Sequence, residues 1–214
     1  TQMRGWVRGL LLDDDGSRAV GVVLDDGRAI GAGTVVLAGG ARSGLLEGLP
    51  DGALPPVRPV KGQILRLRST ADTGRVLHRT VRAFVHGASV YLVPRADGEV
   101  VVGATMEERG FDDTVTAGGM WELLRDARVV LPVVTELELV EAWAGLRPAT
   151  PDNLPLIGAS ALDGLVLATG HGRNGILLAP LTADAVASLV AGGAALPEVA
   201  AADPRRFEAV RSAR

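Results

Sequence analysis

The sequence predicts an α/β (α+β) fold, and three stretches carry that reading. Residues 165–169 form a short apolar run; a glycine-rich turn and an apolar-periodic segment at 176–190 follow, so strand, tight turn and helix succeed one another. Between 63 and 104, strand-like runs alternate with glycine, proline and charged turns, the pattern of an antiparallel sheet with one solvated face. At 118–130 and just beyond, Met120, Leu123, Leu124, Ala127 and Leu131 recur at helical spacing and define an amphipathic helix.

Taken in order, the chain opens with strands at 6–12 and 19–24, separated by the polar turn 13–17, in which Gly16 supplies a positive φ. The turn 25–27 leads through 28–30 to 34–37, so a small antiparallel meander feeds a strand read as fully buried. The glycine turn 38–43 comes next, before a helix expected at Leu45. A proline-rich crossing at 50–59 marks the entry to a second domain. Strands are expected at 63–68, 83–86, 89–94 and 100–104, then the helix 118–130 and a strand at 138–146. Residues 152–158 cross back. The expected division is therefore 1–54, 55–146 and 147–214, the last segment returning to the first domain.

At 214 residues the chain can bury a sizeable core as one large domain or two small ones. A net charge of −3 gives no electrostatic case for nucleic acid or an anionic membrane, and an aromatic content of 3% leaves little to stack single-stranded bases. Cysteine is absent, which removes disulfides and thiolate metal sites and fits a reducing compartment. No signal peptide is recognised and 176–190 is too short and too interrupted to span a bilayer, so a cytoplasmic protein is expected.

Chemistry concentrates at 170–180, Gly-His-Gly-Arg-Asn-Gly-Ile-Leu-Leu-Ala-Pro. Its glycines allow close approach of the backbone, and a helix starting near Gly175 points free N–H groups and a positive dipole end at the same place, suiting an anion or an electron-rich ring. A plain strand-to-helix turn is the competing reading, which Arg173 and Asn174 disfavour. Arg147, between Gly145 and Pro148 at the end of an apolar strand, offers a planar fork suited to a carboxylate; a structural salt bridge is the alternative. Tyr91, the sole tyrosine, either donates a hydrogen bond to such a carboxylate or is core with a wet tip. Val7 reads most simply as core. His78, His86 and His171 lack metal-ligand spacing and read as surface or turn residues. Lys61-Gly62 lacks the glycines of a phosphate loop, and Glu107-Glu108 and Asp112-Asp113 read as solvated turns.

The run His171-Gly-Arg-Asn-Gly-Ile-Leu-Leu-Ala-Pro180 resembles the C-terminal flavin-contacting loop and helix of the glycine oxidases of thiamine biosynthesis, within the D-amino-acid oxidase and sarcosine oxidase group. Pro56-Val-Arg-Pro-Val-Lys-Gly-Gln63, Tyr91-Leu-Val-Pro-Arg95, Val101-Val-Gly-Ala-Thr-Met106, and Gly145-Leu-Arg-Pro148 followed by 152–158 match in the family's order. The resemblance implies an incomplete FAD-binding Rossmann-like domain plus a substrate domain with a mainly antiparallel sheet. It implies non-covalent FAD, met by His171, Gly172, Arg173, Asn174, Gly175, Ile176 and Leu177, with the backbone at Val7 near the adenine and the turn at Gly39 close to the dinucleotide. Arg147 and Tyr91 match the family residues that hold the substrate carboxylate, Met106 a pocket-lining position, and Arg173 one whose backbone lies near the substrate amine. No residue is assigned as a general acid or base. Where Arg42 stands, relatives usually carry a tryptophan or another large apolar residue, and Ser89 stands where some have histidine.

By resemblance, then, the activity is oxidation of glycine or a similar small amine to the imine, with glyoxylate and hydrogen peroxide as products, serving thiazole formation. The alternatives are an oxidase or dehydrogenase for sarcosine, a D-amino acid or a modified-tRNA amine, and a non-catalytic fragment acting as an assembly module. The family's Gly-x-Gly-x-x-Gly fingerprint and acidic ribose-binding residue have no match, so the likeness covers roughly the C-terminal three-fifths of a member. Expected partners are the amine, O2 and an N-terminal half of the same enzyme, with a homo-oligomer a further option; without that half the chain is expected to be inactive.

Overall fold

A computed structural model describes residues 1–207. It divides into two compact units, Thr1–Pro59 with Arg147–Arg214, and Val60–Leu146; 208–214 lie outside the described residues.

In the first unit, β1 (Val7–Leu12), β2 (Ala19–Leu24) and β3 (Ala29–Gly31) form an antiparallel meander in that order. Acidic turns make the reversals: Asp13 accepts from the Arg18 N–H, Asp26 from that of Arg28, and Gly16 and Gly27 take φ +75° and +85°. A second sheet has the order β10 (Leu156–Ala159), β11 (Leu165–Thr169), β4 (Val35–Leu37), with β11 parallel to β4 and antiparallel to β10. The α2 helix (Gly175–Val190) contacts β10 and β11. Leu10, Leu37, Leu156, Leu165 and Leu167 form the core here, each fully buried leucine contributing about 1.5–3 kcal/mol.

Three expectations for this unit need correction. β4 is an edge strand and Val36 is 37% exposed, so the strand is not fully buried. No helix begins at Leu45. Gly40–Leu45 winds as a 3-10 turn, after which Glu47 exchanges backbone hydrogen bonds with Arg8 and Leu10, a bridge that uses the groups a helix would need. Val7 is not core: it is 46% exposed.

The second unit is built on β6 (Val81–Val85), β7 (Ala88–Pro94), β8 (Glu99–Gly103), β5 (Arg58–Arg68) and β9 (Glu138–Ala149), in that spatial order. The helix α1 (Ala117–Val130) lays Leu123 and Ala127 against Leu65, Leu67, Leu92, Val100 and Val102. Thr116 caps it, accepting from the Gly119 N–H at 3.1 Å. His86 and Gly87 both have positive φ, which a two-residue hairpin between β6 and β7 requires. β5 starts at Arg58 rather than 63, so Arg58 and Pro59 are strand; proline is admitted because it stands at the strand's beginning.

The opposite face of this sheet is charged at one end, where Glu99 pairs with Arg66 and Arg68, and these reach Glu141 and Glu138. The acidic runs after β8 are not simple solvated turns. Lys61 is fully buried and lies 3.8 Å from Glu107 and 3.5 Å from Asp112. Gln63, also buried, donates to Glu107 at 2.7 Å and to Thr116 at 3.1 Å, while Thr105 donates to Glu107 at 2.6 Å. Burial alone raises Glu107, but the hydrogen bonds from Thr105 and Gln63 and the Lys61 charge outweigh it and hold the carboxyl below the usual range. Hydrogen bonds from Thr114, helped by Lys61, bring Asp112 to about 2.

The described C-terminal turn Pro204–Phe207 docks through Arg206, whose guanidinium binds Asp152 at 2.7 and 3.0 Å. Arg206, with lesser help from the Leu154 N–H and Thr150, brings Asp152 to about 2. A carboxyl lowered from 3.8 stabilises the folded state fully above pH 4 and loses that contribution as pH falls toward 2. Acidification through that window is expected to raise amide exchange at 197–207 ahead of the core, and Asp152→Asn to show the faster exchange already at pH 7.

Candidate active site

The site grows from the carboxyl ends of two parallel strands, where open α/β sheets place their ligands. Buried Ser43 and Thr169 staple those ends together: their hydroxyls lie 2.9 Å apart and both contact the Gly40 carbonyl, at 2.8 and 3.1 Å. Gly39 is exposed at the tip of this staple. Neither hydroxyl is visible as functional from sequence, since the pairing joins residues far apart in the chain.

After Thr169 the backbone turns sharply. Gly170 has φ +75° and packs so closely on Thr150 that a Cβ would lie 2.7 Å from its methyl; Gly172 has φ +55°. Gly172–Asn174 is a 3-10 turn and α2 starts at Gly175 with no side-chain cap, leaving its first N–H groups to whatever occupies the loop. Arg173 and Asn174 are exposed, Ile176 is 94% exposed and Leu177 78%. Behind them lies an apolar pocket of about 330 Å³, bounded by Val36, Ala38, Ala168, Gly175, Ala179 and Val186.

His171 stands at the head of the turn, as one of its two readings has it; it is half-buried and its Nε2 lies 3.0 Å from the Thr182 hydroxyl, which itself donates to the Leu178 carbonyl at 2.8 Å. With its proton committed, Thr182 accepts, so Nε2 carries the imidazole hydrogen. Burial lowers the His171 pKa, which keeps the ring neutral at pH 7.

Arg147 is half-buried within β9, which continues to Ala149, so it does not stand at the strand's end. β9 is an edge strand and therefore tolerates Pro148. The residues after Arg147 pack against the glycine loop: the Pro148 carbonyl lies 4.0 Å from the Cβ position of Gly172, and Thr150 meets Gly170. Arg58 donates to the Thr150 carbonyl at 3.0 Å, fixing this junction. Arg147 and the loop 170–177 thus belong to one unit. The second unit holds Tyr91 and Met106. Tyr91 is half-buried on β7, and Met106 is 70% exposed, its neighbours Thr105 and Glu107 tied by backbone bonds to Gln63 and Lys61.

Among the described residues no group of His, Asp and Glu is disposed to hold a metal ion, and no helix is long and apolar enough to cross a membrane.

The family described as "FAD dependent oxidoreductase" (DAO) matches residues 7–189. The chain is 42% identical over 194 residues to a glycine oxidase of Pseudomonas aeruginosa, covering 90% of this chain and 49% of that one. It is 39% identical over 185 residues to a bifunctional protein ThiO/ThiG of Nostoc sp., 82% of this chain and 27% of the other. The crystal structure of glycine oxidase from Geobacillus kaustophilus superposes with a TM-score of 0.77 at 34% identity, over 92% of this chain and 50% of that one. The chain spans about half the length of the glycine oxidases it matches, less than the three-fifths expected from sequence.

Proposed function

The chain belongs to the DAO family of FAD-dependent oxidoreductases, and from that premise we propose that it is the substrate-holding and ring-contacting part of a glycine oxidase. The glycine-oxidase likeness over nine-tenths of the chain carries this reading. FAD is the family's cofactor. The residues present fit one end of such a group: an uncapped helix start, glycines of positive φ and an apolar pocket converge on 170–177. The Gly-x-Gly-x-x-Gly cradle for its pyrophosphate has no match in this sequence.

Bound FAD supplies the two-electron acceptor. The chain's own residues then have three tasks. Arg147 holds the substrate carboxylate through a bidentate pair and Tyr91 donates a second hydrogen bond, fixing the α-carbon hydrogen in direction. N–H groups at Gly175–Leu177 stabilise negative charge developing at the loop. Met106 lines the pocket without taking part in proton transfer. Neutral amine substrate needs no dedicated base. Glyoxylate, hydrogen peroxide and a role in thiazole formation follow from this reading.

β4 leaves an unpaired outer edge among the described residues, and Val36, Ile176 and Leu177 are exposed apolar side chains in the same unit. An N-terminal segment of the enzyme would cover both. The test is the visible spectrum of the chain assembled with that segment, before and after anaerobic glycine. A flavin band bleached by glycine is expected; a band indifferent to glycine overturns the substrate assignment. The chain by itself is expected to retain little FAD, and stoichiometric flavin on it overturns the need for the segment.

A further inference from the structure

The phenol of Tyr91 has a definite resting place. Arg82, Tyr91, Gly103 and Ile64 form one row across β6, β7, β8 and β5, and directly opposed residues share a face of the sheet. In that row the Tyr91 ring lies over Gly103. A Cβ added at Gly103 would overlap the ring's Cζ and the hydroxyl oxygen and approach Cε2 to 2.6 Å. Gly103 is a buried strand residue whose φ is outside the left-handed region, so no positive φ demands glycine there. Its neighbours in β8, Val100, Val101 and Val102, are the β-branched residues expected of a buried strand. The atoms nearest to the missing side chain at 103 all belong to Tyr91.

We propose that Gly103 is a positioning residue for Tyr91: the absent side chain is the seat of the phenol and sets where its hydroxyl stands. This rests on the role given to Tyr91 under the proposed function, and it adds a residue that never touches substrate. A methyl at 103 pushes the hydroxyl off its place while leaving its chemistry intact. Gly103→Ala is therefore expected to act through a displaced Tyr91 ring.

Tyr91 is the only tyrosine, so 3-fluorotyrosine places a single 19F reporter in the chain. Gly103→Ala is expected to move that resonance and to leave the melting temperature within a few degrees. In the assembled flavoenzyme it raises the glycine KM about tenfold, the size of one lost hydrogen bond to a charged group. Tyr91→Phe does the same, kcat changes less in both, and the double variant is no worse than the more impaired single one. An unmoved resonance overturns the proposal, as does a KM raised by Tyr91→Phe but untouched by Gly103→Ala. A moved resonance with KM unaffected in both variants instead overturns the substrate role of Tyr91, and the catalytic consequence with it. Should Gly103→Ala lose stability, Tyr91→Leu added to it restores the melting temperature; a loss not recovered places the clash elsewhere and overturns the proposal.

Discussion

Lys61→Ala is expected to destabilise the chain by about 2–4 kcal/mol in denaturant unfolding, the largest effect of any single charged residue outside the site. The Lys61 side chain is 1% exposed and stands between Glu107 and Asp112, which are 23% and 46% exposed. Removing it leaves a partly buried carboxylate without its cation and empties the space of a four-carbon stem. The carboxylates' access to water places the expectation below the upper end of the range for fully buried pairs. Lys61→Met, which keeps the stem, isolates the charge term and should cost less than Lys61→Ala. The pH dependence has a definite sign. Glu107 and Asp112 both titrate below their ordinary values of 4.5 and 3.8, so their contribution is complete only above about pH 5 and fades as pH falls, toward about 2 for Asp112. The gap between wild type and Lys61→Met must therefore narrow in acid, where protonated carboxyls no longer miss their partner. A gap that stays constant from pH 7 to 3 would show that packing alone is involved.

Arg147→Ala is expected to lower kcat/KM for glycine in the assembled flavoenzyme by on the order of 10²–10³, the cost of removing one side of a hydrogen-bonded charge pair. Arg147→Lys should recover little of it, because an ammonium cannot reproduce the fork. Retained flavin absorbance and an unchanged melting temperature would assign the loss to the substrate carboxylate. Activity within tenfold of wild type in Arg147→Ala would remove Arg147 from the proposed function.

Local sequence rules read the elements well wherever the chain supplied its own punctuation. β2 and β11 have the predicted limits, and β1, β7, α1 and α2 differ by one residue at one end, because polar or glycine turns bound them. The same rules failed where long-range pairing decides. Leu45 looks like a helix start until Glu47 is seen bridging to β1, and the apolar run at β4 reads as buried until its edge position is known. The site shows the same division. The loop 170–177 was legible from glycine spacing, and the residues that hold it were not: Ser43, Thr150 and Thr169 act through contacts whose partners lie far off in sequence. The missing phosphate-loop glycines beside Lys61 say nothing of its part in a buried ionic cluster. Only a three-dimensional neighbour list distinguishes a solvated Glu107 from one held by Gln63, Thr105 and Lys61.

The second unit is inserted into the first through β5 and β9, which are neighbours in one sheet. That adjacency bears on the order of assembly. Pairing β4 with β11 joins Val35–Leu37 to Leu165–Thr169 across the whole inserted sequence, a contact that an unfolded chain makes slowly. If Val60–Leu146 folds first, its two ends are held a strand spacing apart, and the remaining closure involves a far shorter effective loop. During synthesis the insert is also complete before β10 and β11 have been made. The interrupted unit is then predicted to fold last, templated by the ends of the unit that interrupts it.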